Sequence, residues 1–76
     1  MIKFITSSAE KSNYNGHVRF NNPINIYWVN SIEKSEYEYY GHKNYRIYFS
    51  GIGKEWVYDD EDLRDKDYEK ILKNFS

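Results

Sequence analysis

An α+β fold, with a small four- to five-stranded, mainly antiparallel sheet and one C-terminal amphipathic helix packed on one face, follows from three observations on the chain. Aromatic and β-branched residues alternate with polar ones through its middle, glycine and asparagine clusters punctuate that alternation, and at Asp59 the apolar period changes from that of a strand to that of a helix. With 76 residues the chain holds one domain, 1–76, whose core is only just large enough to close without a disulfide or a metal.

The elements follow in order. Residues 1–6 read as a strand with Ile2 and Phe4 on one face. Residues 7–23 are polar, with Asn15-Gly16 and Asn21-Asn22-Pro23 as turn signals and room for a short strand at His17 to Phe20. Residues 24–29 alternate Ile24, Ile26 and Trp28 against Asn25, Tyr27 and Val29, which predicts a central strand covered on both faces. Strands at about 36–40, 45–50 and 55–58 form hairpins. A turn at Gly51 to Lys54 pairs Phe49 with Trp56 and Ile47 with Tyr58, all on one face. A loop from Tyr40 to Asn44 pairs Tyr39 with Tyr45 and Tyr37 with Ile47, keeps these aromatics on that same face and sets Glu38 against Arg46 outside; a loop one residue shorter inverts Tyr37 and Tyr39. The helix, about 60–74, is expected to start at an Asp59 cap with a Tyr58 to Leu63 staple and to bury Leu63, Tyr68, Ile71, Leu72 and Phe75.

Composition excludes several classes of function. There is no cysteine, which removes disulfide scaffolds, thiolate metal sites and cysteine nucleophiles and fits a reducing cytoplasm. No stretch has the length and apolarity of a signal peptide or a membrane span. The net charge is −1, but residues 1–54 carry +3 and residues 55–76 carry −4, so the molecule is electrically polar without a general attraction to nucleic acid. Ile, Lys, Asn and Tyr make up 33 of the residues, a bias of AT-rich codons that points to a low-GC bacterium, or to a phage or mobile element of one.

The acidic run from Asp59 lacks the glycine and closing glutamate of a calcium loop. Its bland role is a charged helix start; its sharper one is an anionic patch, Asp60, Glu61, Asp65 and Asp67, that docks on a basic protein surface. His17 and His42, both expected in loops, sit in no catalytic motif, and Gly51-Ile52-Gly53-Lys54 lacks the spacing of a phosphate loop. No cofactor or metal is called for. The second face of the hairpins carries Tyr40, Tyr48 and Val57 with Arg46 and Lys43. These side chains suit a protein interface or stacked single-stranded nucleic acid, unless residues 7–23 fold over them.

In brevity, cysteine-free composition, acidic patch and codon bias the chain resembles the small inhibitors that phages and mobile elements use against host machinery, anti-defence proteins included. The resemblance is one of style and carries no residue across. It implies a non-enzymatic protein-binding module that occludes a surface of a larger host protein through Asp60, Glu61, Asp65, Asp67, Tyr40, Arg46 or Tyr48, as a monomer or a homodimer. A single-stranded nucleic-acid-binding module is the alternative, and a small metal-dependent nuclease the third class. Truncation before Asp59 is expected to abolish cooperative thermal unfolding, since it uncovers Phe49, Trp56 and Tyr58; a truncated chain that still melts cooperatively contradicts this packing.

Overall fold

In the computed structural model, which describes residues 3–14 and 17–75, the chain is α+β, with antiparallel strands in three small sheets and one C-terminal helix packed on them. β1 (Phe4–Ile5) pairs with β4 (Ile24–Asn25), and β2 (Lys11–Tyr14) pairs with β3 (His17–Phe20). β5 (Ser31–Tyr39), β6 (His42–Ser50) and β7 (Lys54–Tyr58) form the main sheet in that order, and α1 (Glu61–Leu72) continues into a 3-10 turn, Lys73–Phe75. The expected contributions of Met1, Ile2, Asn15 and Gly16 lie outside the described residues.

The two faces of the main sheet come from simple alternation. Ile47 and Phe49 on β6 share a face with Trp56 and Tyr58 on β7, and all four are buried. Each such side chain contributes roughly 1.5–3 kcal/mol. The register differs from expectation by two residues. Ile47 stands opposite Trp56 and Tyr45 opposite Tyr58, while Phe49 meets Trp56 diagonally, edge to face at 4.9 Å. A slip of two residues leaves every side chain on its expected face.

The β5–β6 hairpin departs further. Its turn is only Tyr40-Gly41, with φ of 47° and 80°, the positive pair that a tight hairpin turn requires. Tyr39 therefore faces His42 and Tyr37 faces Asn44. Tyr37 and Tyr39 fall on the face opposite Ile47, and Glu38 faces Lys43 rather than Arg46. A tyrosine in the left-handed region is uncommon, which is why Tyr40-Gly41 does not advertise itself as Asn-Gly would. His42 and His17 open strands and are not in loops.

Residues 24–29 are not a central strand. After β4, Ile26–Trp28 form a 3-10 helix capped by Asn25, whose side chain accepts a hydrogen bond from the Tyr27 amide at 3.2 Å. Three residues per turn place Ile26 and Val29 together in the core and turn Tyr27 and Trp28 outward.

The helix docks largely through polar side chains. Its cap is Asp60, one residue later than expected, so Tyr58 and Leu63 do not occupy staple positions. The buried residues of α1 are Arg64, Asp67 and Ile71; Leu63 and Leu72 are exposed, and the side chain of Phe75 lies outside what is described. Arg64 donates to the Ser35 carbonyl at 2.8 Å and lies over the Tyr45 ring at 5.4 Å, which pins the helix to β5 and β6.

On the other face the β2–β3 hairpin closes over β7. Asn21, just after β3, donates to the Val57 carbonyl at 2.9 Å and accepts from the Val57 amide at 2.9 Å, and its amide group also donates to the Ala9 carbonyl at 2.7 Å. The Trp56 indole donates to the Asn22 carbonyl at 2.8 Å. Val57 is fully buried, so the polar segment 7–23 does cover this part of the second face. Replacing Asn21 by Ala leaves buried backbone groups of Val57 without partners and is expected to cost about 2–3 kcal/mol in urea unfolding. Asn22→Ala, at an exposed side chain, is the control, with a change within about 0.5 kcal/mol; equal effects of the two would refute the role given to Asn21.

Candidate binding groove

An open groove of about 810 Å³ lies between β3, the 3-10 helix and the β6–β7 turn. Its lining includes the rings of Phe4, Phe20, Trp28 and Tyr48 together with Pro23, Ile24 and Ile52. Phe4, Phe20 and Trp28 are 61%, 66% and 67% exposed, so these rings face solvent around a common depression. A domain this short has few large apolar side chains to spare, and single exposed ones are ordinary, but several converging on one concave surface are the mark of a binding site.

The positions of three of these rings follow from the fold. Phe4 is set by the pairing of β1 with β4, reinforced where the Ile26 amide donates to the Lys3 carbonyl at 2.9 Å. Phe20 ends β3, held by Asn21. Trp28 is turned out by the 3-10 helix, beneath which the β6–β7 turn passes closely. A Cβ on Gly51 would sit 2.7 Å from the Trp28 carbonyl oxygen, and its φ of 96° disfavours any side chain there.

Two arginines at the rim share one carboxylate. Glu55 accepts from Arg19 at 3.2 Å and from Arg46 at 3.0 Å, and the Arg46 guanidinium lies 4.9 Å from the centre of the Tyr37 ring. Lys54 lines the groove beside them.

The residues singled out from the sequence are scattered across the molecule. Tyr48 lines the groove and Arg46 stands beside it through Glu55, whereas Tyr40 occupies the far end of the β5–β6 hairpin, roughly 25 Å along β6 at the usual rise per residue. The acids have structural partners. Asp60 caps α1 through the Asp62 amide, Glu61 is 3.7 Å from Arg64, and Asp65 accepts from Arg64 at 2.8 Å and lies 3.8 Å from Lys34. Asp67 is not on the surface. Its carboxylate accepts from the Ser7 hydroxyl at 3.1 Å, the Ser8 amide at 2.9 Å and the Tyr58 hydroxyl at 2.5 Å, clasping the N-terminal segment to α1 and β7. Phe4, Phe20 and Trp28 are not among the site residues expected from the sequence. Only Phe20 carries a local signal, its place just before the turn run Asn21-Asn22-Pro23; the exposure of Phe4 and Trp28 is set by tertiary packing.

Among the described residues no group of three or more His, Asp or Glu side chains converges to hold a metal ion, and no helix is long and apolar enough to cross a membrane. Comparison with protein-family models, with curated proteins and with solved structures finds no match.

Burial first, and then the hydrogen bond to Asp67, push the Tyr58 phenol far above the usual tyrosine range. In the unfolded chain the phenol ionises near pH 10, so the stability gained by keeping it protonated is complete below about pH 10 and lost as pH rises beyond it, by up to about 1.4 kcal/mol per pH unit. Tyr58→Phe is expected to be less stable at neutral pH yet to lose less stability between about pH 10 and pH 11.5 in chemical denaturation. An alkaline loss as steep as that of the parent would show that Tyr58 is not the group responsible.

Proposed function

We propose that the chain is a non-enzymatic protein-binding module whose binding surface is the aromatic groove. One observation carries this reading: the exposed rings of Phe4, Phe20 and Trp28 share one open groove while Phe49, Trp56 and Tyr58 fill the core. Aromatic side chains are the usual anchors of protein interfaces, and each one newly buried by a partner supplies roughly 1.5–3 kcal/mol. Occlusion of a surface on a larger protein is the mode of action proposed, the one used by small inhibitors of phages and mobile elements, anti-defence proteins included. The acidic side chains of α1 are better explained as cap and ion-pair partners than as the docking patch.

A second reading, single-stranded nucleic-acid binding, draws on the same rings interleaved with Arg19 and Lys54. Against it, Glu55 already engages Arg19 and Arg46, whereas affinity for a phosphate backbone comes from cations that neutralise phosphates.

Selection of a random short-peptide display library on the intact chain tests the proposal. Peptides are expected to be enriched, and the double variant Phe20→Ala/Trp28→Ala, altered only at exposed positions, is expected to bind them at least about tenfold more weakly with its thermal unfolding nearly unchanged. No enrichment, or equal binding by the double variant, overturns it. A low-salt mobility shift with oligothymidylate, falling steeply as salt is added, would install the second reading.

A further inference from the structure

The groove opens on a strand edge. Lys54 and Trp56 point to one face of β7 and Glu55 to the other, yet all three line the groove, so it runs along the edge of β7 and not over a face. The amide and carbonyl of Val57 are engaged by Asn21 and not by Arg46 opposite, which fixes the parity of the strand. Hydrogen-bonding direction alternates along a strand, so the amide and carbonyl of Glu55, two residues back, leave through the same outer edge as those of Val57. Asn21 therefore closes the edge at Val57 and stops there. The next hydrogen-bonding position lies in the groove, flanked by aromatic rings.

An edge donor and acceptor with side-chain recesses on either side is the arrangement that receives an added peptide strand, where main-chain bonds give affinity and alternate side chains give selectivity. Nucleic acid has no backbone of alternating amides and carbonyls to match it. Charge selects further: Lys54 is exposed at this end of the groove and offers its ammonium group to a carboxylate. We propose that the groove takes an extended peptide segment of a partner protein as an added strand on the outer edge of β7 at Glu55. Apolar side chains of that segment lie against Phe20 and Trp28, and a carboxylate faces Lys54. This rests on the protein-binding reading above and specifies its ligand.

The probe is the tightest peptide from the display selection, synthesised in its parent form, as a series N-methylated at one amide at a time, and with each Asp or Glu replaced by Asn or Gln. Binding is read by 15N–1H spectra of the full chain. The parent is expected to shift the Glu55 amide, N-methylation is expected to weaken binding about tenfold or more at alternate positions and little at those between, and removal of the carboxylate is expected to weaken binding about three- to tenfold. Lys54→Glu, at an exposed side chain, should reproduce the carboxylate effect. A peptide that binds the groove yet tolerates N-methylation at every position, or leaves the Glu55 amide unmoved, overturns strand addition while leaving the protein-binding reading intact. Carboxylate-independent binding overturns the charge selection. A selection that enriches no peptide removes both readings, and an oligothymidylate shift then assigns the groove to nucleic acid.

Discussion

The side-chain amide of Asn21 does for Val57 what another strand would do, giving and accepting one hydrogen bond on the outer edge of β7. Much of the N-terminal half depends on that pair of bonds. They bring the end of β3 to the main sheet, align the Asn22 carbonyl with the Trp56 indole and hold the β2–β3 hairpin over the second face. A side-chain amide spans only one position of a strand, however, so the edge is covered at one residue and left to the groove at the next. An open strand edge is a hazard that proteins usually cover, charge or bend away. Here it is bordered by charged side chains, Lys54 and Glu55, and also by the exposed rings of Phe20 and Trp28, and those rings are the physical ground for reading it as a place kept for a partner.

Polar ties recur wherever this short chain lacks apolar surface to join its elements. Arg64 links α1 to β5, and Asp67 gathers Ser7, Ser8 and Tyr58, joining the N-terminal segment, β7 and the helix in one cluster. A satisfied buried network adds less stability than its gross hydrogen-bond energy suggests, but it penalises any arrangement that leaves a member unpaired. Such ties free Phe4, Phe20 and Trp28 from the core, where an apolar joint would have used them.

How much of this was legible in the sequence depended on whether a property was local or tertiary. The burial of Ile47, Phe49, Trp56 and Tyr58 was readable because period-two alternation survives a register error of two residues. The hairpin turn at Tyr40 was not, because it places a tyrosine where glycine or asparagine is usual. At residues 24–29 the letters alternate as a strand does, but the Asn25 cap starts a 3-10 helix and reassigns Trp28 from core to surface. The helix face differs from the apolar stripe because Arg64 and Asp67, which look like solvated residues in the sequence, are buried against partners on other elements. The groove was the least legible feature, since its walls come from residues far apart in the chain and exposure of a ring is not written in its own neighbourhood.

The most direct measurement is amide hydrogen exchange on the intact, unliganded chain, comparing Val57 with Glu55. Both amides leave β7 through the same edge, so the account predicts slow exchange for Val57, held by Asn21, and exchange faster by orders of magnitude for Glu55 in the open groove. Equal protection of the two amides, whether both slow or both fast, would contradict it.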